Sequence, residues 1–266
     1  MRPFPHRHPS ILAVAMLAAS FGVWPQDDCR GQNWVDQKVS GPFYCRAEFP
    51  LNRMDPLLRE LAQLQNDLVR CLGVPPAQEP IELYIFRDKW TYTDYLKQHL
   101  PTVPFRRALY VKSQGPGRVL TYWSDEIGTD VRHECTHALL HAVLPVVPLW
   151  LDEGLAEYFE VPAEKRSFDN PHLESLRWAL RLGTISSMDS LERKATLQEM
   201  GKNEYRDAWA WVHFMLHGPQ EAHAELGRYL QDLQASVPPG FLSQRVEQRV
   251  SGTPQRFTAH FHAWKR

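Results

Sequence analysis

Apolar residues recur at helical spacing through Leu57, Leu61, Leu64, Leu68 and Leu72, a period that predicts an early helix. Ile81 to Phe86 is uniformly apolar apart from Glu82 and reads as a short strand, and a helix around Asp88 to Leu100 follows. Leu109 to Lys112 and Arg118 to Trp123 read as two strands joined by Gln114-Gly115-Pro116-Gly117, a turn signal. Ile127, Val131, Ala138, Leu139, Ala142 and Val143 form the apolar stripe of a helix packed into a core, with Ser124 or Asp125 placed to cap its start. Pro145 and Pro148 mark the loop after it, and a second helix starts near Leu149. Helices are then expected over about 172–182, 189–200, 204–217, 220–235 and 254–264, with Pro238-Pro239-Gly240 breaking the run. Residues 25–50 lack such periodicity and are expected to be irregular.

The amino terminus follows a different pattern. Arg2 and Arg7, with His6 and His8, precede an apolar run from Ile11 to Phe21 that is too short to span a bilayer as a mature helix. Ala18-Ala19-Ser20 supplies small residues for cleavage. These features predict a signal peptide over 1–20 and an exported protein, periplasmic or secreted, with no stable membrane span after cleavage. An uncleaved anchor is the alternative. Without Arg2 and Arg7, 28 basic residues face 31 acidic ones, a net charge of −3 that gives no basis for a nucleic-acid partner.

Export permits the cysteines to pair. Cys29 and Cys45 flank a Gly- and Pro-containing segment and are the expected pair; Cys71 is either free or paired with Cys135. The chain thus divides into a signal peptide, an irregular 21–50 segment with a cysteine pair, and a single domain over 51–266, long enough for a sizeable core.

The chemistry concentrates in His133-Glu134-Cys135-Thr136-His137, followed by Trp150-Leu151-Asp152-Glu153-Gly154-Leu155-Ala156-Glu157-Tyr158-Phe159. Histidines four apart on a helix share one face, so both imidazoles can reach one Zn²⁺, with the intervening Glu134 directed at the metal's open position. At 1.5 Å per residue, His137 lies roughly 9 Å before the interhelical turn and Glu153 roughly 6 Å after it. A helical hairpin therefore brings Glu153 to about the level of His137 as a third ligand. Three protein ligands plus water make a catalytic site, whereas a structural site is closed by four. Cys135 points away from the metal and reads as a small buried packing residue. His141 is about 12 Å along the axis from His133, too far for one metal, and reads as a neighbour of the ligands or a packing residue. A metzincin needs glycine at 140 and histidine at 143, where this chain has Leu140 and Val143.

These two motifs resemble those of the gluzincins, metallopeptidases in which His-Glu-x-x-His is joined by a downstream glutamate ligand. The segment from Trp150 to Ala156 is similar to the aminopeptidase branch, and through Phe159 it looks still closer to the bacterial "peptidase MA-like" families. The resemblance covers roughly residues 80 to 217. Three departures stand out. His137 and Glu153 are separated by 16 positions, fewer than in the aminopeptidase branch; Asp152 replaces the usual asparagine; and no Gly-x-Met-Glu-Asn segment is present, which argues against a conventional aminopeptidase.

The resemblance implies an α+β fold: a small mixed β-sheet followed by a mainly helical zincin (thermolysin-like) catalytic core. It implies hydrolysis of peptide bonds in a peptide or protein substrate, with Zn²⁺ held by His133, His137 and Glu153 and with Glu134 as general base. Tyr205, opening a later helix, takes the oxyanion-donor role, with His213 and His217 as weaker candidates. Glu157, or the adjacent Asp152, holds the second ring nitrogen of a ligating histidine. Residues 118–123 take the place of the edge strand that pairs with substrate. Trp123 and Trp150 are candidates to line the cleft. The alternative to an enzyme is an inactive module of the same fold that binds zinc and a peptide or cell-wall ligand.

Overall fold

The computed structural model describes residues 32–112 and 115–264. The expected signal peptide, Cys29 and Gln114 of the expected turn lie outside the described residues. Five strands form one mixed sheet: β1 (Asp36–Ser40), β2 (Phe43–Ala47), β3 (Ile81–Phe86), β4 (Ala108–Val111) and β5 (Arg118–Tyr122). Their order is β1-β2-β3-β5-β4, with β2, β3 and β5 parallel and the two outer strands antiparallel to their neighbours.

The strand period of two divides the side chains between two cores. Leu83, Ile85, Tyr110 and Val119 face the main core, under α1 (Asp55–Leu72) and α3 (Ile127–Val143). Tyr84, Phe86, Leu109, Leu120 and Tyr122 face a smaller core closed by α2 (Lys89–His99). Cover on both faces explains why β3 is an almost unbroken apolar run.

The second half is helical: α4 (Leu149–Phe159), α5 (Leu173–Leu182), α6 (Met188–Glu192), α7 (Lys202–His217), α8 (Gln220–Gln234), α9 (Leu242–Arg249) and α10 (Thr253–Ala263). A mixed sheet confined to the first half and a helical second half make the fold α+β, as expected. No helix among the described residues is long and apolar enough to cross a membrane.

Several expectations change. Within 25–50, residues 36–47 form a hairpin whose second strand pairs in parallel with β3. This long-range pairing makes the hairpin part of the central sheet. The helix expected over 189–200 is the short α6 and a 3₁₀ turn at Leu197–Glu199, while α9 was not expected at all. On α1 it is Leu58, rather than Leu57, that is fully buried. Neither Ser124 nor Asp125 caps α3 with its side chain.

Residues 118–122 form an interior strand between β3 and β4, so they have no free edge for a substrate; β4 ends the sheet there instead. Trp150 is packed in the core and lines no cleft, whereas Trp123 is partly exposed beside Phe49. Cys45, Cys71 and Cys135 are free thiols. Cys45 projects from β2 into the core as a free thiol that burial pushes up to about 12; its expected partner, Cys29, lies outside the described residues. Cys135 is fully buried as a packing residue and is not bridged to Cys71.

Candidate metal centre

α3 and α4 pack against each other across the proline-marked loop, and α7 packs along α4. The approach of α4 to α7 depends on Gly154: a Cβ there would lie 2.7 Å from the Ala208 carbonyl oxygen. The glycine therefore sets how deeply the adjacent Glu153 sits. His133, Glu134, His137 and Glu153 are all fully buried.

Glu153 Oε2 lies 3.6 Å from His133 Nε2 and 3.8 Å from His137 Nε2. Ligands on a tetrahedral zinc with bonds of about 2.0–2.1 Å stand roughly 3.3 Å apart, so modest contraction around an ion suffices. Neither Nε2 atom has a hydrogen-bond partner among the described residues. A buried imidazole nitrogen left so is costly unless something binds it. The donor set, two imidazoles and a carboxylate, suits zinc.

Each ligating histidine is backed by a carboxylate. His133 Nδ1 donates to Glu160 Oε2 at 2.9 Å, and His137 Nδ1 lies 3.0 Å from Asp152 Oδ1. Glu134 Oε2 accepts from the Tyr110 backbone N–H at 2.7 Å, while its Oε1 has no hydrogen-bond partner among the described residues.

Burial alone would depress both ligating histidines. For His133, Glu153 and Glu160 outweigh burial; for His137, Asp152 and Glu153 do, and both imidazoles are raised above the ordinary 6.5. Burial raises the Glu134 carboxyl above its usual range, against the pull of His133 and His137. Burial would also raise Asp152, but His137 and His141 overcome it and hold that carboxylate well below its usual range.

Asp152 thus stands at a ligating ring, as one of the two expected carboxylates. Glu157 does not take the expected role; it accepts from His172 Nε2 at 2.8 Å, and Glu160 occupies His133 instead. Glu160, the C-cap of α4, follows Glu153 by seven residues, about two turns, a spacing that could have identified it. Tyr205 is buried on the first turns of α7. Burial, then the Glu153 charge, pushes its phenol far above the usual range. His213 and His217 are not brought to the centre: they contact His260 and Tyr158 respectively.

No protein-family model matches the chain. None of the curated proteins is similar to it in sequence. Among solved structures, the fold is similar to the crystal structure of an M1 zinc metallopeptidase from Deinococcus radiodurans, with a TM-score of 0.47 and 15% identity. The match covers 86% of this chain and 50% of that one, so this chain spans about half that peptidase's length. A likeness this distant carries no functional argument, and the reading below rests on the site.

Proposed function

We propose that this chain is a zinc-dependent peptidase that hydrolyses peptide bonds with an activated water. The observation that carries the reading is the meeting of His133 Nε2, His137 Nε2 and Glu153 Oε2 in one buried spot beside Glu134. His133, His137 and Glu153 would hold a zinc ion, which would supply a Lewis acid for a bound water and a substrate carbonyl. Glu134, oriented through Oε2 by the Tyr110 amide, accepts the water's proton on Oε1 and returns it to the leaving amine. Tyr205 remains protonated and donates to the oxyanion that develops. β4 ends the sheet, and beyond the Tyr110 amide that holds Glu134 its outer edge is where a peptide or protein substrate would pair.

The basic and apolar amino-terminal pattern supports export to the periplasm or beyond. Replacing Glu134 with Gln removes the proton acceptor while preserving side-chain volume. The variant is expected to keep its zinc and to lose cleavage of a diverse peptide mixture. Cleavage at the wild-type rate overturns the mechanism. Complete burial of the four central side chains favours a second reading, a module that holds zinc without turnover. Chelator-sensitive cleavage by the wild-type protein excludes it.

A further inference from the structure

We propose that His141 is a positioning residue of the metal centre: it braces Asp152, which in turn holds the His137 ring. This rests on the zinc reading above. Asp152 is fully buried and meets an imidazole nitrogen at each oxygen, His137 Nδ1 at 3.0 Å from Oδ1 and His141 Nε2 at 2.9 Å from Oδ2. A buried carboxylate is costly unless both oxygens are engaged. An amide at position 152 would present a single acceptor oxygen and turn its NH₂ toward one of the rings. The carboxylate is therefore matched to two imidazole neighbours, His141 by a hydrogen bond and His137 by a close charge contact.

The arrangement dictates tautomers. Asp152 Oδ2 accepts from His141 Nε2–H, and the charge on Oδ1, 3.0 Å from His137 Nδ1 but outside hydrogen-bonding geometry, favours a proton on Nδ1 and leaves the His137 Nε2 lone pair for a metal. His141 reaches the His137 ring through Asp152, while two helical turns, about 12 Å, separate it from His133. Its ring is clamped in turn. The Tyr110 ring stacks on it at a centroid distance of 5.8 Å and an interplanar angle of 10°, and its carbonyl accepts from Lys112 Nζ at 3.2 Å. Tyr110 thereby serves both halves of the site, its amide holding Glu134 and its ring holding His141.

The test measures zinc affinity of the full chain by competition with a chelator. His141→Phe keeps a stacking ring and loses the donor; it is expected to weaken zinc binding about tenfold. His141→Gln restores an N–H donor and is expected to recover affinity to within about threefold of wild type. Unchanged affinity in the Phe variant, or a folded Gln variant as weak as Phe, overturns the proposal. Isotope-edited histidine NMR of the wild-type protein needs no substitution: it must show a proton on His141 Nε2, and a bare Nε2 overturns the assignment. Failure of the wild-type protein to bind zinc overturns the metal reading itself, an outcome distinct from the other two.

Discussion

The Tyr110 amide donates to Glu134 at 2.7 Å, so the strand that ends the sheet determines where the motif glutamate points. Shortening that side chain by one methylene makes the two demands incompatible: an aspartate cannot hold the amide and reach the metal's open position together. Glu134→Asp is expected to lower kcat about a hundredfold, the order of loss that a misplacement near 1 Å produces. Zinc content should be unchanged. A kcat within a few-fold of wild type in steady-state assays would show that the Tyr110 contact does not set the geometry of proton transfer.

Tyr205 offers a separable test. Its buried hydroxyl has no hydrogen-bond partner among the described residues, and Glu153 helps keep it protonated. A donor reserved for charge that develops during reaction affects kcat and not ground-state binding. Tyr205→Phe is expected to reduce kcat by about 10²–10³ with KM little altered. Equal kcat values for variant and wild type would remove Tyr205 from the mechanism.

The hairpin carrying the ligands was legible because it is local. One rise per residue on either side of a proline-marked loop places Glu153 level with His137, and the carboxylate lies 3.8 Å from that ring. What sequence pattern could not reach is pairing between distant segments. β1 reads Asp-Gln-Lys-Val-Ser, with no apolar alternation, and β2 joins the sheet only by pairing with β3 across the whole of α1. The interior position of β5 follows from strand order, which no local period encodes. Glu157, in the last turn of α4, and Glu160, its C-cap, are three residues apart; Glu160 meets His133, whereas Glu157 is engaged by His172, brought in from beyond the helix.

Gly154 follows Glu153 directly and lets α4 approach the backbone of α7. A methyl group there meets the Ala208 carbonyl oxygen at 2.7 Å and carbon at 2.9 Å, contacts too short to persist. The helices must separate, and Glu153 moves with its own. Gly154→Ala is therefore expected to destabilise the fold by about 1–3 kcal/mol, despite alanine's better helix propensity. It should also weaken zinc binding. Denaturant titration and chelator competition report the two effects. A stabilised variant would mean that the helices have slack at this point.

The pH dependence of stability should reside partly in a histidine cluster remote from the metal centre. His213 Nδ1 and His260 Nε2 lie 3.0 Å apart, His213 Nε2 faces the Ser167 carbonyl at 3.3 Å, and Trp264 stacks on the His213 ring. His217 stands beside His213, engaged with Tyr158 and within the field of His223. Burial, then neighbouring histidines, depresses all three, His260 to about 4. On unfolding, each returns to the ordinary 6.5 and takes up a proton that the folded protein refuses. This contribution is intact above about pH 6.5 and is lost as pH falls through the window toward 4. His213→Phe removes the most depressed member of the cluster. Across that window its Tm should fall less than that of the wild type, by at least about 3 °C. Parallel Tm–pH curves in calorimetry would show that the cluster does not govern acid stability, and that α10 is held on α7 by packing alone.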